Sequence, residues 1–456
     1  MRYRFSRWSP LQSIHTAIDL SVMALVALLT ACATPAAAVP SFAQQTGQPC
    51  QACHVGAFGP QLKPYGRDFK LYGYQSSDGK SHELPIAVMA MISDTHTGAS
   101  QTPPPAPHFG PNDNFAVDQV SVFFAGKFAK DWGAFAQATY DGVARQFQLD
   151  NVDIRRAKEV TLLGKDSVVG VDFNNNPSVQ DIWNSTPAWS FPYNSSALST
   201  GGPPQTVIDG GLAHQVVGAG LYGMWDDTIY AEATLYQPLE RQFAGRLGAG
   251  TNIQSDRFVG LIPYARLAYV HDVGAKLSYQ AGLFALKAES YPGGIVQYGT
   301  NIYSDLGVDA NYQYIGSETH VVSAHATYLH ERQDLTASEK LNPGTRGASD
   351  LSTTRADVTY SYKNTWTPSI QAFRTDQTTD PLTMVNRGRT TGYVAELAYI
   401  PWGKPNSPLY WLNSRLAVQY IGYQEFNGIR SKASDNNTLY ISLWVALAPF
   451  GSLVHR

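Results

Sequence analysis

Beyond residue 83 this chain alternates apolar and polar side chains with period two in one segment after another. None of the apolar runs there reaches the roughly 20 residues that a membrane-crossing helix needs. A wall one residue thick, with lipid on one side and water on the other, requires that alternation. Between 276 and 283, Leu277, Tyr279, Ala281 and Leu283 share one face and Lys276, Ser278 and Gln280 the other. From 355 to 363, Ala356, Val358, Tyr360 and Tyr362 would meet lipid, while Arg355, Asp357, Thr359, Ser361 and Lys363 would meet the lumen. Near the end, Leu412, Leu416, Val418 and Tyr420 oppose Asn413, Arg415 and Gln419. One such strand would suit a soluble sandwich. Their number predicts an all-β chain, an antiparallel outer-membrane β-barrel of about 16 strands between residues 83 and 450.

Connection lengths give an independent sign. Short turns at 128–131, 225–227, 271–274, 316–317 and 363–365, and a somewhat longer one at 401–408, alternate with long connections. The long ones fall at 97–113, 174–212, 238–257, 289–301, 331–350, 375–386 and 425–436. Transmembrane barrels pair short periplasmic turns with longer outer loops, so the alternation predicts both chain ends in the periplasm. The pattern is weakest over 147–166, where Arg155, Arg156 and Lys158 interrupt it. The last strand, predicted over 438–450, continues past its aromatic residue into a six-residue tail, Gly451 to Arg456.

Composition agrees with a barrel. There are 26 Tyr and 19 Phe against 3 Cys, charged residues make up 15%, and the net charge is −3. No basic excess points to nucleic acid. Ahead of the barrel, Arg2, Arg4 and Arg7 precede the apolar stretch Ser21 to Leu29 and the small residues Ala36-Ala37-Ala38, which predicts an export signal over 1–38. A competing site, Leu29-Thr30-Ala31-Cys32, would instead leave Cys32 as a lipidated N-terminus.

Just behind the leader stands Cys50-Gln51-Ala52-Cys53-His54. Cys-x-x-Cys-His is the attachment signature of a c-type haem, in which two thiols bond the porphyrin and the neighbouring imidazole becomes the proximal iron ligand. The same residues could form a disulfide or half of a zinc site. Zinc would need two further ligands, and the only other cysteine is Cys32 in the leader. The residues therefore predict one covalently bound haem c on Cys50 and Cys53 with His54 on the iron, in a compartment outside the cytoplasm.

The haem segment, 39–80, is too short to build a core alone, so the haem must borrow a pocket from the barrel, 81–456, as a plug in its mouth or lumen. Phe58, Leu62, Tyr65, Phe69 and Tyr72 are candidates to cover the ring. Arg67, with Lys63 and Lys70, is a candidate to pair with the haem propionates, against ordinary solvation or contact with lumen acids. The sixth iron ligand is open at this stage. Met89 and Met91, on one face of the first strand, are the nearest methionines, with plain packing as their other reading; His82 and His325 are the histidine alternatives.

The stretch Pro40-Ser41-Phe42-Ala43-Gln44-Gln45-Thr46-Gly47-Gln48-Pro49 into Cys50–His54, followed by Gly59-Pro60-Gln61-Leu62-Lys63-Pro64-Tyr65-Gly66-Arg67-Asp68-Phe69-Lys70, resembles the fused monohaem cytochrome-porins of iron-oxidising bacteria. The resemblance implies an outer-membrane iron oxidase, of the iron:cytochrome c oxidoreductase type, with extracellular Fe(II) as substrate. Electrons would pass inward to a periplasmic carrier, a cytochrome or copper protein. It implies Cys50 and Cys53 as haem anchors and His54 as proximal ligand, and it carries over no iron-contact residue. Two other readings compete: a passive porin whose haem segment plugs it, and an outer-membrane redox conduit or sensor for a donor other than Fe(II).

Overall fold

The computed structural model describes residues 40–79, 85–249, 256–317, 319–378, 388–407 and 412–448. The export signal, Cys32, His82 and the tail beyond 448 lie outside the described residues.

Among the described residues, seventeen strands form a single sheet. They are β1 (Ile86–Thr97), β2 (Asn114–Ala129), β3 (Trp132–Asp141), β4 (Gln146–Leu162), β5 (Lys165–Asn174) and β6 (Val216–Trp225). Then come β7 (Ile229–Pro238), β8 (Arg257–Val259), β9 (Ile262–Val273), β10 (Leu277–Tyr291), β11 (Asn301–Ser317) and β12 (His320–Asp334). The last five are β13 (Ala348–Tyr362), β14 (Trp366–Gln377), β15 (Arg389–Tyr399), β16 (Leu412–Glu425) and β17 (Thr438–Leu447). Neighbours pair antiparallel, and β1 pairs with both β2 and β17, which closes the sheet on itself. β8 and β9 pair with successive stretches of β10 and make one barrel strand, broken at Gly260 with φ +72°. Sixteen strands therefore surround the bore, as the alternation predicts.

Polar side chains point in and apolar ones out. Ser278, Gln280, Asp357, Thr359, Ser361, Asn413 and Gln419 are buried inside, whereas Leu283, Val358, Leu416 and Val418 stand exposed on the outer face. That outer band is the surface a bilayer covers. One end of the barrel carries tight turns. At Asp226-Asp227 and Lys363-Asn364 both central residues have positive φ, and Thr228 N–H and Thr365 N–H close them onto Trp225 O and Tyr362 O at 3.0 Å. These are mirror-image turns whose twist matches the strands.

Two features depart from the expected outline. The uncertain stretch 147–166 is one 17-residue strand, β4, plus the turn at Leu163-Gly164. The β3–β4 connection, 142–145, is short although it lies at the long-loop end. The alternation is obscured because Asp153 and Arg155 face the lumen as a fully buried ion pair, and because the β3–β4 register shifts between Ala136 and Ala138. The first part of the long connection 175–215 turns inward, while Gly201 and Gly202 stay exposed. Ser178, Gln180, Asp181, Ile182 and Thr186 are wholly buried, since the loop folds into the bore. There Arg266 on β9 pairs with Asp309 at 2.7 Å and reaches Asp181 at 3.5 Å, and Arg155 donates to the Gln180 carbonyl.

The opposite end of the bore is filled by the N-terminal segment. It contains α1 (Pro40–Thr46), α2 (Cys50–Cys53) and α3 (Pro64–Leu71). Its contacts reach the wall on every side: Tyr74 hydroxyl to Asp153 at 2.6 Å, Arg67 to Asp272 at 2.6 Å, Gln313 to Leu62 O at 2.7 Å, and Gln45 Oε1 from Lys127 N–H at 2.6 Å. Asn184 donates to Pro60 O at 2.8 Å, so loop and plug meet in the middle.

Candidate functional site

The plug is organised around its cysteines. α2 is one helical turn, with Pro49 ahead of it in extended conformation, and His54 leaves it at φ −113° and ψ 144°. Residues three apart on a turn share a face, so Cys50 and Cys53 point the same way and the next residue carries its imidazole off the helix end. The chain then folds back on itself. Val55 N–H donates to Gln61 O at 3.1 Å and Lys63 N–H to Cys53 O at 2.8 Å. α3 passes so close that a Cβ on Gly66 would stand 2.6 Å from Cys53 O, which only glycine avoids.

Beside this turn lies a cavity of about 360 Å³, within the size range of small-molecule sites. Cys50, Cys53 and His54 border it, and aromatic rings stand in its walls, among them Phe42, Phe58, Phe69, Phe123, Phe135, Trp189 and Trp444. Phe42 packs edge-on to Phe69 at 5.0 Å, and Phe58 edge-on to Trp444 at 5.1 Å. Gln119, Gln137, Asp150 and Asn151 form a polar stretch of the wall.

Burial sets the charge states. It pushes the Cys53 thiol up to about 12, against the pull of Lys63, and raises Cys50 further. Burial lowers the His54 imidazole to about 4, so the ring is neutral at ordinary pH, the form that binds metals. His54 Nδ1 is buried without a hydrogen-bond partner. Neither cysteine is in a disulfide. Among the described residues no three His, Cys, Asp or Glu side chains gather as a metal site, which leaves zinc without a donor set. Two thiols and a neutral imidazole beside aromatic side chains fit the donors and surroundings of a c-type haem.

The other candidates sort by position. Phe58, Leu62 and Phe69 line the cavity; Tyr65 and Tyr72 do not. Arg67, expected at the propionates, turns away from the cavity to hold Asp272 and Asp68, because the end of β9 presents a carboxylate to it. Lys63 donates to Gln51 O at 2.6 Å. Lys70 does reach the wall, but its ammonium donates to Val179 O, Asp181 O and Asn184 Oδ1, each at 2.7 Å, and sits 4.8 Å from the Trp189 ring centre. Met89 lines the cavity; Met91 lies off it, its sulfur accepting from Asn194 Nδ2 at 3.2 Å. His325 is also off the cavity, bound to Asp357 at 3.0 Å and Gln61 at 3.3 Å. Sequence reasoning missed Asn413, fully buried on β16, whose Nδ2 meets Cys50 Sγ at 3.1 Å and Ala57 O at 2.7 Å. It also missed Trp444, although an indole on a lumen-facing position of the last strand was a readable signal.

No family model and no curated protein matches the chain. Among solved structures the chain is similar to a porin refined at 1.8 Å, with 10% identity and TM-score 0.44 over 79% of this chain and 99% of that one. OprB of Pseudomonas putida gives 11% identity and TM-score 0.44 over 79% and 93%. A loop-deletion form of OmpT, an outer membrane protein of Vibrio cholerae, gives 9% and 0.42 over 79% and 97%. The barrel assignment rests on the strand pairing described above.

Proposed function

We propose that this chain is an outer-membrane electron conduit, a fused monohaem cytochrome-porin that oxidises extracellular Fe(II) and hands the electrons to a periplasmic carrier protein. The observation that carries the reading is the placement of Cys50, Cys53 and His54 on the wall of a cavity within the bore, beside several aromatic rings. A haem c held there supplies a one-electron centre. Cys50 and Cys53 would fix it covalently, His54 would bind its iron through the neutral ring, and the aromatic rings would exclude water from it. The Fe(II) donor comes from the sequence resemblance. The plug and the inward loop oppose the passive-porin reading, because both occupy the space through which solutes would pass.

Rapid mixing of the purified protein with Fe(II) tests the proposal. The haem absorption bands should shift to the reduced form, and a supplied cytochrome or copper protein should turn them over repeatedly. Bands that stay oxidised under excess Fe(II) at acidic and neutral pH refute Fe(II) as donor. A Cys50→Ala, Cys53→Ala double variant that still stains for haem on a denaturing gel refutes the attachment itself.

A further inference from the structure

We propose that Met89 supplies the sixth iron ligand, an inference that rests on the haem reading above. Met89 is on β1 with its side chain inward, 6% exposed, and it lines the same cavity as His54. Its neighbours are apolar: Phe58, Phe123, Trp444 and Ala446 share its cluster. A thioether is neutral and flexible, so it suits such surroundings better than a charged donor would.

Most of the competing donors are engaged elsewhere, Asp150 among them with Thr139 and Gln148. Among the described residues, Met91 and His325 are off the cavity and hydrogen-bonded elsewhere. Lys70 lines the cavity with three acceptors on its ammonium, and Tyr74 lines it with its hydroxyl on Asp153. Tyr193 remains, but burial and the nearby Asp357 and Glu396 carboxylates hold its phenol protonated, whereas a phenolate is what would bind iron. Methionine ligation raises a haem potential, the direction needed by a centre that draws electrons from a weak reductant.

The test compares Met89→Leu, Met91→Leu and Met89→His in the full-length protein. The readouts are haem stain on denaturing gels, the ferric absorption spectrum and a potentiometric titration. The wild type and Met91→Leu should be low-spin, with the weak red charge-transfer band of thioether-ligated ferric haem. Met89→Leu, which nearly conserves volume, should keep its covalent haem but become high-spin with a lower potential. Met89→His should stay low-spin, lose the band and also fall in potential. A band that is absent from the wild type, or that survives in Met89→Leu or Met89→His, overturns the assignment. A wild-type protein with no haem stain overturns the underlying reading instead, so the two failures are distinguishable. Should Met89→Leu not fold, Met89→His decides alone.

Discussion

Lys70 joins plug and loop beside the Asn184–Pro60 bond, and its replacement by methionine should loosen one from the other. A hydrogen bond from a charged donor contributes about 1.5–3 kcal/mol net. Burial and the neighbouring Arg155 disfavour the ammonium, lowering it from its ordinary 10.5 to about 7, so its three bonds together are set at about one such bond, about 2 kcal/mol. Lys70→Met should therefore accelerate amide hydrogen exchange in 175–190 by about 30-fold at neutral pH, with the wall strands unchanged. The pH dependence carries a sign. The folded pKa is lowered, so between about 7 and 10.5 the open state binds more protons than the closed one, and closure strengthens as pH rises. The gap between wild type and variant should widen above pH 7. Exchange in 175–190 within threefold of wild type, or an acceleration spread evenly through the wall, would refute Lys70 as a link.

Gly66→Ala should displace α3 from α2, because its Cβ would collide with the Cys53 carbonyl; the check is a loss of covalent haem per barrel, while heat-modified gel mobility shows the barrel still formed. A cysteine placed at Gly201 or Gly202, both exposed, should react with a membrane-impermeant thiol reagent on intact cells, and one at Ile182, wholly buried, should not; the reverse result would contradict the inward course of the loop.

The wall of this protein was readable because each strand states its inside and outside residue by residue, and tight turns such as Asp226-Asp227 sit where the alternation breaks. The contents of the bore were not. A residue such as Asp181 has no periodic pattern to mark it as buried, and its burial is decided by Arg266, far away in sequence. The same reason explains Arg155, which reads as a strand-breaking charge until its partner Asp153 and the plug are in place. The Cys-x-x-Cys-His run was plain from five residues. The fate of the cations around it was not, because Arg67, Lys63 and Lys70 each answer to a different acceptor that only the closed barrel brings near.

The cavity is bounded by Met89 on β1, Phe123 on β2 and Trp444 on β17, so its wall includes the seam where the first and last strands meet. No pocket exists until that seam is joined. Before then Cys50 lacks Asn413 to hold it and Phe58 lacks the indole of Trp444. Afterwards the thiols lie within the bore, Cys50 buried and Cys53 partly so. On the haem reading proposed above, attachment would have to come first and closure second, and a barrel that closed early would be sound in its wall and without the proposed haem.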